Sequence, residues 1–111
     1  MTRSVRLSKP WQPLTPDNVE RVGGTMGVYE LADDDGVVLR IGYAGGRSRF
    51  GLAGELRRHI DAGAACAFRV EVTTAYLSRY TELLMVHLHD HGRLPDGNDD
   101  DVRRLGRIRP A

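Results

Sequence analysis

The sequence predicts an α+β (mixed α/β) domain: a small three-stranded, mostly antiparallel sheet flanked by helices, in the order β-β-α-β-α. Three observations predict this class. The length of 111 residues, with 41% hydrophobic and 28% charged residues, fits one globular domain. Two β-rich runs flank an Asp-Gly turn, which is the signal of a hairpin. Two later stretches carry helical periodicity and end at glycines, with a strand pattern between them.

The hairpin is predicted over residues 26–42. Residues 26–31 alternate as a strand does, and residues 37–42 form a second apolar run. Between them lies Asp33-Asp34-Asp35-Gly36, which is rich in the residues that turns favour. Two β-rich runs on either side of such a turn pair as antiparallel neighbours.

A loop and a helix are predicted next. Residues 43–51 carry two adjacent glycines followed by Arg47-Ser48-Arg49, which is typical of a loop. Beyond it, Leu52, Leu56 and Ile60 recur at helical spacing. We expect a helix over residues 52–62 that ends at Gly63.

The third strand and the second long helix complete the domain. Residues 68–73 alternate, with Phe68, Val70 and Val72 expected to face the core. Thr74 is a suitable N-cap for a helix that runs to His91. We expect a core-facing stripe along this helix, formed by Leu77, Leu84 and Leu88.

We expect three segments along the chain. They are an N-terminal arm (residues 1–24), a central domain (25–98) and a polar, flexible tail (99–111). The arm is rich in proline, and Thr15-Pro16 predicts the start of a short helix. The tail is basic at its end, where it carries Arg103, Arg104, Arg107 and Arg109.

The net charge of +1 by itself indicates no partner. Arginines outnumber acidic residues between positions 36 and 94, however, so a basic face toward phosphates is compatible with the sequence. Cys66 is the only cysteine, which excludes an intrachain disulfide, and its apolar neighbours predict burial. No apolar stretch has the length of a membrane span and no signal peptide is visible, so we expect a cytoplasmic protein.

Five short motifs in this framework resemble, in order, those of the GIY-YIG nuclease family. They are Gly27-Val28-Tyr29, Arg40-Ile41-Gly42, the helix with Leu52, Leu56 and His59, Glu82 in the next helix, and Leu94-Pro95 followed by Asn98. The resemblance spans residues 24–98. It implies a divergent nuclease-like hydrolase, an endonuclease that cleaves phosphodiester bonds in DNA or RNA.

The chemistry implied by the resemblance is metal-assisted hydrolysis. Family members use a tyrosine to activate or position a water, a glutamate to bind a divalent cation and an arginine to contact the phosphate. The resemblance assigns Tyr29 to water and Glu82 to Mg²⁺ (or Mn²⁺), because a carboxylate oxygen suits a hard cation that polarises a phosphoryl oxygen. The side chains expected to contact the substrate are Arg40, Arg47, Arg49, His59 and Asn98.

Two positions depart from the family pattern. Arg40 stands where the family carries a tyrosine, and Tyr43 is the nearby residue able to supply a phenol. Glu55 falls at the position of the family's arginine. The arginines that compete to replace it are Arg47, Arg49, Arg57 and Arg58, of which Arg57 joins Tyr29, Tyr43 and Glu82 in the catalytic set.

These departures keep a second function open: a catalytically inactive scaffold that binds nucleic acid or a small anionic ligand. We expect DNA or RNA as the partner, with a small anionic ligand as the alternative for the inactive scaffold, and no membrane association. A domain of this size is also expected to form a homodimer or to use a separate partner for target specificity. His87 and His91, one helical turn apart, have the spacing of a two-histidine zinc site, although cations near a helix C-terminus have the same pattern.

Overall fold

The structure, a computed structural model, describes residues 6–101. Its elements are β1 (Gln12–Pro13), α1 (Pro16–Val22), β2 (Gly27–Ala32), β3 (Val38–Ala44), α2 (Gly51–Ala62), β4 (Ala67–Val72), α3 (Tyr76–His91) and a 3-10 segment (Asp96–Asp101). The strands form one antiparallel sheet in the order β1-β4-β2-β3. The α+β class is therefore confirmed.

The hairpin β2–β3 forms at the predicted turn. Asp33 Oδ1 accepts hydrogen bonds from the backbone N–H groups of Asp35 and Val37, at 2.9 and 3.0 Å, and Gly36 has φ +80°. Every residue of β2 is buried because this strand is paired on both edges and covered on both faces. Its register places Tyr29 opposite Gly42 of β3 and Val70 of β4.

Helices cover the two faces of the sheet. On one face, α1 and α2 pack on a core that includes Tyr29, Leu31 and Phe68. On the other face, α3 packs on a second core around Val28 and Ile41. The alternation of side chains along β2 explains the division, since successive residues point to opposite faces.

The N-terminal arm packs on the same sheet. Thr15 caps α1, as predicted, by accepting a hydrogen bond from Asn18 N at 3.3 Å. Leu7 is buried in the core under α3, and the Arg69 guanidinium lies 4.2 Å from the ring centroid of Trp11. The tail lies outside the described residues from position 102 onward, and with it the arginines at its end.

Several sequence predictions need correction. The sheet has four strands rather than three, because β1, only two residues long, pairs with β4. Tyr43 belongs to β3 and not to the loop. Helix α3 begins after Ala75 without a side-chain cap, so Thr74 does not serve as one. Leu77 is 48% exposed instead of facing the core.

Cys66 was also expected to be buried and is exposed. Its backbone pairs with Ala32 and Leu14, which fixes the chain while leaving the thiol at the surface beside Asp34. None of the helices in the described part of the chain combines the length and apolarity needed to cross a membrane.

Candidate functional site

A cleft of about 870 Å³ opens at the β3 edge of the sheet. The end of β3, the loop that follows it, and the first turns of α2 and α3 form its walls. Among the described residues that line it are four arginines and one carboxylate: Arg40, Arg47, Arg49, Arg58 and Glu55. The cleft therefore carries an excess of positive charge.

Tyr29 lines this cleft and forms a hydrogen-bonded pair with His59. The Tyr29 hydroxyl lies 3.0 Å from His59 Nε2, and Tyr29 is only 2% exposed. The ring lies over Gly42 on the neighbouring strand, where an added Cβ would come within 2.2 Å of it. Glycine in the second motif thus makes room for the tyrosine of the first.

The protonation states of this pair are set by burial and by arginines. Burial raises the pKa of the Tyr29 phenol, while the hydrogen bond and charge of Arg40 act in the opposite direction. Burial and the charges of Arg40 and Arg58 lower the pKa of His59. Both shifts favour neutral groups near pH 7. In the His59 tautomer that carries its proton on Nδ1, the phenol donates to Nε2.

The lowered pKa of His59 makes stability depend on pH. In the unfolded chain histidine titrates near 6.5, so below that pH the unfolded state binds a proton that the folded state resists. We expect the free energy of unfolding to fall as the pH drops from about 7.5 to 5.5, the range around that histidine pKa. Urea unfolding at the two pH values measures the loss.

The His59→Gln variant should show a smaller loss over this range than the wild-type protein. His87→Gln is the matched comparison, because burial and the neighbouring His91 lower the pKa of His87 as well. If both variants keep the full pH dependence of the wild type, this assignment is wrong.

The arginines of the cleft differ in how they are held. Arg40 lies beside Tyr29 and donates a hydrogen bond to the Gly97 carbonyl. Arg58 pairs with Glu55 at 2.9 Å while its side chain stays 77% exposed. Arg47 and Arg49 are exposed on the loop between β3 and α2. The cleft thus combines two arginines that are held by neighbouring groups, Arg40 and Arg58, with two on an exposed loop.

Tyrosines form the wall of the cleft that faces α3. Tyr43 stacks on Tyr76, with ring centroids 5.8 Å apart, and contacts Tyr80 at 4.8 Å. The Tyr76 hydroxyl accepts a hydrogen bond from Gly46 N at 3.2 Å. An added Cβ at Gly45 would lie 2.4 Å from the Tyr76 ring. Tyr76 therefore holds the glycine pair that begins the Arg47–Arg49 loop.

Four predicted site residues lie outside the cleft lining: Arg57, His59, Glu82 and Asn98. Arg57 is exposed on α2, next to Arg58, which does line the cleft. Glu82 pairs with Arg79, whose buried guanidinium also binds Glu71 of β4 at 2.8 Å. Asn98 is buried and hydrogen-bonded to both backbone groups of Ile41. The other predicted site residues line the cleft together: Tyr29, Arg40, Tyr43, Arg47 and Arg49. His59 adjoins them through its contact with the Tyr29 hydroxyl.

His87 and His91 also lie apart from the cleft, with ring centroids 4.3 Å from each other near the end of α3. Within residues 6–101, no group of three or more His, Cys, Asp or Glu side chains is gathered so as to hold a metal ion.

Sequence reasoning missed Phe50, Tyr76 and Leu77 as members of the site. Phe50 is an apolar residue at the end of a polar loop, which is a usable signal for an exposed contact residue. Tyr76 and Leu77 reach the cleft because the chain returns to the same sheet edge after β4. No local sequence pattern predicts that the chain returns to this edge.

Fold and site together define a small α+β domain with a cationic, tyrosine-lined cleft at an open sheet edge. The model of one protein family, described as a domain of unknown function (DUF7508), matches residues 5–90. The chain therefore belongs to this family. No curated protein and no solved structure was found to match the chain.

Proposed function

We propose that this protein binds the phosphodiester backbone of nucleic acid in the cleft of a GIY-YIG-like scaffold. The observation that carries the proposal is the set of four arginines, opposed by one carboxylate, on the lining of a single cleft. Arginine presents a planar fork of donors that matches phosphate oxygens. The motif order given above supports the choice of scaffold.

The position of Glu82 favours binding over metal-dependent cleavage. The resemblance assigns Mg²⁺ (or Mn²⁺) to this carboxylate, but Glu82 is held by Arg79 and does not line the cleft that contains Tyr29. The carboxylate within the cleft, Glu55, is engaged by Arg58. The residues present thus do not fit the metal site that the resemblance implies, and we assign no step to a metal ion.

Salt dependence is the test of phosphate contacts. With about three arginines on phosphates, the log of the association constant should fall with log salt at a slope of about −2 to −3. Fluorescence anisotropy of labelled DNA and RNA at several salt concentrations measures this slope. A flat plot would contradict the proposal.

Cleft and surface arginines can be compared within one chain. Replacing Arg47 and Arg49 together with glutamine should reduce the slope by about 1–2 and weaken binding to every sequence. Arg57→Gln is the matched control, because Arg57 is exposed on α2 outside the cleft. Equal effects of the double variant and the control would place binding elsewhere.

The Tyr29–His59 pair favours a second candidate function, phosphodiester hydrolysis. The Tyr29 hydroxyl and His59 Nε2 lie 3.0 Å apart, and in the tautomer with the proton on Nδ1 the imidazole can accept a proton from the hydroxyl, as general acid–base catalysis requires. A separate partner or a second copy that supplies target specificity stays a prediction.

If the protein hydrolyses nucleic acid, Tyr29→Phe should reduce the cleavage rate by about 10²- to 10⁴-fold while binding remains. Supercoiled and single-stranded substrates, each with and without Mg²⁺, provide the assay. Glu82→Gln is expected to cleave like the wild type, since Glu82 lies outside the cleft. Absence of cleavage by the wild-type protein would leave binding as the function and remove this candidate.

A further inference from the structure

Two large apolar side chains of the cleft lining are exposed. Phe50, just before α2, is 59% exposed, and Leu77, in the first turn of α3, is 48% exposed. Helix α2, which Phe50 precedes, and helix α3, which carries Leu77, pack on opposite faces of the sheet, so the two side chains border the cleft from two sides. A site that held only phosphate oxygens would gain nothing from these apolar groups.

Cationic and aromatic groups are adjacent at the Phe50 side of the cleft. The Arg49 guanidinium lies 5.4 Å from the centroid of the Phe50 ring, within the range of a cation–π contact. Positive side chains beside an exposed ring form the arrangement with which proteins hold single-stranded nucleic acid, because phosphates pair with the cations and bases stack on the ring.

A duplex does not satisfy this arrangement. Its bases are stacked on one another and paired, so their flat faces are not available to a protein ring unless a base is flipped out. An unpaired strand presents base faces and phosphates alternately. The cleft volume of about 870 Å³ lies in the range of sites that hold a compact ligand, which suits a nucleotide unit.

We infer that the cleft selects single-stranded nucleic acid, with an unpaired base stacked on Phe50 and the flanking phosphates on Arg47 and Arg49. Leu77 contacts the same base or its neighbour from the α3 side. This inference rests on the proposed function, since it names the substrate class of that same cleft.

The experiment compares one oligonucleotide sequence as a single strand and as a duplex. Anisotropy titrations with wild-type protein should show tighter binding of the single strand. Phe50→Ala should weaken single-strand binding by about tenfold, the effect of losing one stacked base, and leave duplex binding nearly unchanged. Val37→Ala is the matched control, because Val37 is 56% exposed in the hairpin turn, away from the cleft.

Thermal unfolding of each variant verifies that it folds. If Phe50→Ala fails to fold, Phe50→Leu retains much of the bulk without the ring face and should show the same selective loss. A single strand with 2-aminopurine at successive positions gives a second readout, since stacking on Phe50 should change the emission of one position in the wild type and not in the variant.

Three outcomes would overturn the inference. If duplex binds as tightly as single strand, and Phe50→Ala matches Val37→Ala, the proposed function stands and the single-strand preference fails. If a free mononucleotide competes as well as the strand does, the cleft is a nucleotide site instead. If wild-type protein binds no nucleic acid at all, the proposed function fails as well.

Discussion

Replacing Asn98 with alanine is expected to lower the free energy of unfolding by about 2–5 kcal/mol, because two buried backbone groups lose their partner. Asn98 is 1% exposed. Its Oδ1 accepts from Ile41 N at 2.8 Å, and its Nδ2 donates to Ile41 O at 2.7 Å. One amide thus supplies to the edge strand β3 the donor and acceptor that a further strand would supply.

Urea unfolding followed by circular dichroism measures this loss. Asn18→Ala is the matched control, because Asn18 Nδ2 donates to the Pro13 carbonyl at 2.9 Å in an exposed position. Its loss should be about 1 kcal/mol or less, as for a hydrogen bond that water can replace. Equal losses for the two variants would show that the 3-10 segment does not support β3 as described.

Replacing Arg79 with methionine is the second change with a large expected effect, a loss of about 2–4 kcal/mol of stability. Its side chain is only 4% exposed, and it binds Glu71 at 2.8 and 3.1 Å and also Glu82. Methionine fills much of the same space but leaves the two carboxylates close together without their cation. Their partial exposure keeps the cost below that of fully buried charges.

Arg58→Met is the control for Arg79, since Arg58 forms an ion pair at the same helical spacing with a side chain that is 77% exposed. An exposed pair of this kind contributes about 0–1 kcal/mol. Chemical unfolding of both variants in the same buffer provides the comparison. If Arg79→Met is no more destabilised than Arg58→Met, the Glu71–Arg79–Glu82 cluster does not stabilise the domain and Glu82 is available for another role.

Much of the fold was predictable because its signals are local. The hairpin turn at Asp33–Gly36, the glycines that end α2 and α3, and the cap at Thr15 all act within a few residues of chain. β1 was missed because two residues, one of them proline, carry no period. Arg79 also escaped prediction: burial of an arginine requires carboxylates that come from β4 and from the next turn of α3.

The features of the candidate site also divide into those that the sequence predicts and those that depend on tertiary packing. The sequence by itself determined the hairpin around Asp33–Gly36 and the arginines on the loop after β3. Only the structure shows that an irregularity between Leu31 and Ala32 shifts the register by one residue and brings Tyr29 opposite Gly42. Only the tertiary structure decided that Arg58 and not Arg57 lines the cleft, that Glu82 lies away from it, and that Tyr76 and Leu77 reach it. Those outcomes depend on the direction of each helix face toward the sheet, which packing between distant segments sets and no local pattern encodes.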